Sequence, residues 1–263
     1  VRDSYQLGKE LGQLSQRYCL TGHFSLPRYA VFFQPRNVFM FFRDPVQRVL
    51  SHYGHSCRVN GFDKGFEAFC QLSFNRDVQA KTLSSFPPCL LGYIGLQEHY
   101  GESLSDLSRL YGISLSERIS NVNAAKVHSV QYECSAEELT LIHEYNQRDF
   151  SVYAIAKQLF EQRRQLEGEG KLFVHGCVRE QTLKKVSGWV MSYNDDRPVD
   201  LLLHVNGVQV AEIQARDLNL ALNGWNSVRQ GYGGFTHVFK KPLADGDEVE
   251  CRVATTGQLL LKV

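Results

Sequence analysis

Apolar positions recur at two spacings along the chain, and the change falls near residue 168. Before that point the helical spacing dominates. Leu139, Ile142 and Tyr145, with Asn146 and Asp149, lead into Phe150 to Phe160, and this spacing predicts one long amphipathic helix with its charges on the other face. A second helix is expected over Leu104 to Tyr111, with Ser103 or Ser105 as cap and Gly112 as stop. The five consecutive apolar residues Val38 to Phe42 suit a strand buried on both faces of a parallel sheet. Asp44 and Pro45 then read as a helix cap and the first helical position, so the unit is strand, tight turn, helix.

Beyond the polar stretch EQRRQLEGEGK the pattern turns to short strand-like runs: Leu172 to Val178, Val186 to Tyr193, Val199 to Val205, Val208 to Ala215, Phe235 to Phe239, Glu248 to Ala254 and Gln258 to Val263. Their number and spacing predict a small antiparallel sandwich. Asn206-Gly207 between LLLHV and VQVAEI is the strongest local signal, because a two-residue hairpin loop needs positive φ at both positions. Asn194 to Pro198 and Asp245 to Asp247 read as further turns. The expected fold is an α/β domain with a central parallel sheet over residues 1–168, joined to an all-β sandwich over 169–263.

Composition narrows the function classes. A chain of 263 residues with 43% hydrophobic residues can bury a substantial core. Lys and Arg total 29 against 28 Asp and Glu, a formal charge of +1, which removes the electrostatic case for a nucleic-acid binder or a polybasic membrane attachment. No apolar run approaches the ~18 residues of a spanning helix, and the charged opening VRDSYQLGKELGQLSQR does not suit a secretion signal. Seven scattered cysteines without a C-x-x-C pair suggest reduced thiols in a cytoplasm. His52, His55 and Cys57 in SHYGHSC are either a partial metal cluster or a polar helix end.

The chemistry concentrates in VFMFFRDPVQRVLSHY. Ligands of parallel sheets bind beyond the carboxyl ends of the strands, which places Arg43 at that edge and Ser51 about two turns into the next helix. An arginine fork beside a helix N-terminus suits a phosphate; the same arginine could equally pair with Asp44 or another carboxylate.

The segment FRDPVQRVLSHY resembles the 3′-phosphate-binding segment of sulfotransferases that use 3′-phosphoadenosine 5′-phosphosulfate, particularly the family of the uronyl and heparan 2-O-sulfotransferases and their bacterial relatives. Three further matches follow the family's order. Tyr18 to Phe24, with Gly22 and His23, is similar to its glycine-histidine segment; Gly95 to Leu104, with Glu98 and Ser103, to its Gly-x-x-Glu-x-x-x-x-Ser-Leu stretch; and Asn121 to Asn123, followed by Asn146 to Tyr153, to its closing loop and last helix. The resemblance spans roughly residues 18–160. It implies a P-loop-like sulfotransferase domain that transfers a sulfuryl group to a hydroxyl of a carbohydrate acceptor and leaves 3′-phosphoadenosine 5′-phosphate, with no metal. By the same resemblance His23 is the base, Arg43 and Ser51 hold the 3′-phosphate, and Asn123 bonds the nucleotide. NRDVQAKTL resembles a polar helix lining the acceptor side, which makes Arg76 and Gln79 substrate-binding, together with Glu98; a solvated helix face explains the same residues.

The family's other signature, a lysine-bearing loop for the 5′-phosphosulfate, has no match in residues 1 to 37, where Lys9 lies in the helical-looking YQLGKELGQLSQ. Either the chain begins inside the domain or it is a degenerate relative; the first is the expectation. The second region resembles a sandwich module appended to bacterial enzymes of surface-polysaccharide pathways. Trp189, Trp225 and Tyr232 there form either a sugar-stacking platform or, for Trp189, sandwich core and, for Trp225, a loop anchor. The rival reading of the whole chain is a non-catalytic glycan-binding or scaffolding protein with a vestigial nucleotide site. Glycosyl transfer is disfavoured, since Asp195-Asp196 and the Asp-x-Asp spacing of Asp245-Gly246-Asp247 both fall in sandwich turns.

Overall fold

The computed structural model describes residues 5–6, 9–10, 19–22, 24–117 and 131–263. The fold is mixed α/β, with helices and several sheets. It divides into two compact units, Val1–Phe39 with Ser85–Tyr93 and Gln158–Val263, here the sheet unit, and Met40–Ser84 with Ile94–Lys157, here the helical unit. The expected sandwich, 169–263, falls within the first; that unit also takes up Ser85–Tyr93 and the later turns of a long helix.

In the helical unit, strand β1 (Phe39–Phe42) pairs with β2 (Tyr93–Leu96) as a two-stranded sheet. A Cβ at Gly95 would stand 2.6 Å from the Phe41 ring, so only glycine lets the ring lie against β2. The strand, turn and helix expected at Val38 to Tyr53 are present. The Asp44 side chain accepts from Gln47 N at 3.0 Å, Pro45 opens the helix Pro45–Asn60, and left-handed Gly61 ends it. Val49 and Leu50 of that helix pack with Phe69, Cys70 and Ile142, and Tyr53, Phe62 and Phe66 surround them edge-on.

Two expectations are overturned and one is not confirmed. The central parallel sheet is not shown: among the described residues β1 has one partner, and three of its four residues are only half-buried. The long helix is two, Ala136–Tyr145 and Gln147–Gly168, broken at Asn146. Asn146 is buried, and its side chain donates to Ile142 O while accepting from Arg48 Nη2 and Asp77 N; apolar periodicity is blind to such tertiary bonds. Ser103 and Ser105 are no caps, because the helix begins earlier, at Tyr100, and runs to Tyr111 before left-handed Gly112. Ser103 is instead buried within it, its Oγ accepting from Leu96 N at 3.1 Å.

In the sheet unit, one sheet has the order β10-β3-β4-β8-β7 and the other β6-β5-β9, with β3 His175–Gln181, β4 Lys185–Met191, β5 Val199–Val205, β6 Val208–Ala215, β7 Asp217–Leu218, β8 Tyr232–Val238, β9 Val249–Val253 and β10 Leu261–Lys262. The pairs are antiparallel except β10 with β3, which is parallel. Asn206 and Gly207 have φ of 51° and 78°, as the two-residue hairpin requires. Val178, Val186, Val190 and Phe235 of the first sheet meet Leu201, Leu203, Cys251 and Val253 of the second in one dry core.

Alternation puts Cys177, Trp189 and Met191 on the opposite face of the larger sheet. Ser85–Tyr93 covers that face: His175 Nδ1 is 3.3 Å from Cys89 O, and Tyr193 donates to Leu90 O at 2.9 Å. Gln162 and Arg163 of the long helix donate to Leu259 O and Gly92 O. No helix of the described residues is long and apolar enough to cross a membrane.

Candidate nucleotide site

Where β1 ends, the main chain of Arg43 and Asp44 is held from two other segments. Gln79, buried on the short helix Val78–Leu83, accepts from Arg43 N through Oε1 at 2.8 Å and donates from Nε2 to Arg43 O at 2.9 Å. Glu98, in the turn after β2, accepts from Asp44 N through Oε1 at 2.7 Å, and Tyr153 donates to its Oε2 at 3.3 Å. Three hydrogen bonds therefore fix a turn that helical and strand ladders leave unpaired.

The Arg43 guanidinium lies over the Tyr132 ring, 5.9 Å from its centroid, and has no ion-pair partner among the described residues. The pairing with Asp44 is not made, since Asp44 is spent on capping the helix. Tyr132 is held in turn by Gln47, which donates to Tyr132 O at 3.1 Å and accepts from Tyr132 N at 2.7 Å. Ser51 follows one turn beyond Gln47 on the same helix face and is half-buried. Arg43 and Gln47 thus gather beside Tyr132 at the head of a 16-residue helix, with Ser51 a turn further along it, and there a cationic fork and the positive end of the helix dipole favour an anion.

Beneath this turn runs a buried polar network. Arg48 Nε stands 3.2 Å from Asp149 Oδ2, out of line for a hydrogen bond, and Arg48 Nη2 donates to Asn146 Oδ1 at 2.8 Å. Burial opposes both charges: it lowers the Arg48 pKa and raises that of Asp149, with the mutual attraction offsetting only part. The two acids also exchange caps. Asp77, at a left-handed φ of 48°, accepts from Arg148 N and Asp149 N at the start of the long helix, and Asp149 accepts from Ala80 N at the start of Val78–Leu83. Two helix N-termini thereby satisfy each other's free N–H groups.

The remaining expected site residues are placed as follows. Arg76 donates to Cys70 O and Gln71 O and lies 4.4 Å from the centre of the Tyr145 ring, so its fork is taken up within the fold. His23 and Asn123 lie outside the described residues. His52 and His55 sit in mid-helix rather than at a helix end, His52 edge-on to Phe69 with its pKa lowered by burial, and no group of three metal-ligating side chains occurs among the described residues. The aromatic platform does not form: Trp189 is fully buried, on the face of its sheet opposite the dry core, and Trp225 packs edge-on against Phe86, which leaves Tyr232 exposed.

Sequence reading missed Gln47 and Tyr132. Gln47 stood inside the segment already singled out, two residues after Pro45, but nothing in the sequence tied it to a residue 85 positions away. Tyr132 carried no signal beyond being an aromatic in a polar stretch. No family model, no curated protein and no solved structure matches this chain.

Proposed function

We propose that the chain is a sulfotransferase that moves a sulfuryl group from 3′-phosphoadenosine 5′-phosphosulfate to a hydroxyl of a carbohydrate, built on a P-loop-like domain and working in the cytoplasm. The observation that carries this reading is Arg43: its main chain is fixed, its guanidinium is unclaimed by a carboxylate among the described residues, and it stands beside a capped helix N-terminus. Those features fit a nucleotide phosphate. Arg43 and Ser51 would hold the 3′-phosphate, the arginine by a two-pronged charge-assisted contact and the serine by its hydroxyl. Asn123 is assigned to the nucleotide by resemblance.

The donor, when bound, supplies an activated sulfuryl group on a phosphate leaving group. The chain's part is to align an acceptor hydroxyl and take its proton as the new S–O bond forms and the bond to the phosphate oxygen breaks; His23 is the proposed base. Glu98 borders the same turn, and its carboxylate reaches both Asp44 and Tyr153, which suits fixing the rim of an acceptor site.

Calorimetric titration with 3′-phosphoadenosine 5′-phosphate tests the reading. The wild-type chain should bind, and Arg43→Ala should weaken binding by roughly 10- to 100-fold, the worth of a hydrogen-bonded charge contact. Absence of binding by the wild type up to about 1 mM, weaker than any useful cofactor affinity, would sink the proposal.

A further inference from the structure

The Gln79 side chain has both ends of its amide on the Arg43 main chain, one accepting and one donating. It continues, for one residue past Phe42, the pairing that a neighbouring strand would supply. At 5% exposure that amide is turned into the fold and away from the surface where a sugar would lie. Its own helix is anchored through Ala80 N on Asp149, and the residue before that helix, Asp77, through its N–H on Asn146. A continuous chain of hydrogen bonds therefore runs from the start of the long helix, through Gln79, to the arginine at the end of β1.

We infer that Gln79 is a positioning residue for the phosphate site: it holds the Arg43 backbone so that the guanidinium is already aimed before ligand arrives. This rests on the nucleotide reading above and changes the part expected of Gln79, from acceptor contact to support of the nucleotide grip. The physical ground is preorganisation. An arginine on a mobile turn loses backbone and side-chain freedom on binding, whereas one clamped at N–H and C=O loses only that of the side chain.

The test compares two ligands, 3′-phosphoadenosine 5′-phosphate and adenosine 5′-phosphate, which differ only in the group Arg43 is assigned to hold. A general structural weakening lowers affinity for both alike; a misplaced Arg43 lowers the preference between them. Gln79→Ala should reduce the preference for the 3′-phosphate about tenfold, the effect of losing two ordinary hydrogen bonds, while affinity for adenosine 5′-phosphate holds. Gln79→Met, which keeps the side chain's length and loses both hydrogen bonds without adding charge, is measured beside it, so that a poorly folded alanine variant does not decide the matter; it should lose the preference to a similar degree.

A wild-type preference that disappears in Arg43→Ala but survives intact in both Gln79 variants overturns this inference and leaves the nucleotide reading standing. A wild-type chain with no preference overturns the reading, and this inference with it.

Discussion

The two units are stabilised by opposite means. In the sheet unit, aliphatic side chains from two sheets close a dry core around Leu201, Leu203 and Val253. The helical unit has an aromatic core of its own, but beside it lies a polar interior in which Arg48, Asp149, Asn146 and Asp77 hold three chain segments together. A dry core tolerates exchange of one apolar residue for another of similar size, because its energy scales with area and volume. A buried ionic network does not, since each member removed strands another without solvent or partner. The fixed geometry of the Arg43 turn is therefore maintained by the more brittle of the two interiors.

The sharpest way to break this contrast is Arg48→Ala. It leaves the Asp149 carboxylate buried without its cation and should cost ~3–5 kcal/mol, read as a lowered denaturation midpoint. Amide exchange should rise in the helical unit, at Ala80 and Asp149 first; a cost below about 1 kcal/mol would show that the network carries no such load. Next in size is Leu203→Ala in the fully buried dry core, expected to cost ~2–4 kcal/mol, with faster exchange in β5, β6 and β9. Exchange that spreads equally through both units in either variant would dissolve the distinction.

The smallest effect is on pH. His175 in the sheet unit is fully buried, and desolvation, with Arg163 nearby, holds its pKa well below the ordinary 6.5. The folded state thus binds this proton more weakly than the unfolded chain, so stability is lost as pH falls below about 6.5, by at most ~1.4 kcal/mol per pH unit. Melting temperatures between about pH 7 and 5 should fall for the wild type and fall less steeply for His175→Gln. Equal slopes would show that His175 is not the group responsible.

Much of the sheet unit was legible in its sequence. β5, β6 and the Asn206-Gly207 turn occupy the expected residues, because alternation and turn chemistry are local signals. Local signals also gave the Asp44 cap, the Pro45 start and the Gly112 stop. The Asn146 break escaped notice because its cause is a hydrogen bond to Arg48, 98 residues away in sequence. The sequence allows Trp189 as exposed platform or as sandwich core, and it lies instead on the other buried face of its sheet. Alternation gives each residue a side but does not say whether Ser85–Tyr93 covers that side.

By itself, then, the sequence determined a set of short-range features: most strands of the sheet unit, the Asp44 cap with its Pro45 start, the Gly112 stop, the hairpin that turns on Asn206-Gly207, and Arg43 at the end of a strand beside a helix start. Only the tertiary structure decided what each polar side chain is for. Gln79 and Arg76 are alike in a polar helix when read along the chain; in the fold one grips the Arg43 main chain and the other is bound to Cys70 and Gln71. The reason is that backbone propensities act over a few residues, whereas a buried hydrogen bond is chosen by whichever unsatisfied group folding brings within 3 Å, however far away it lies in sequence.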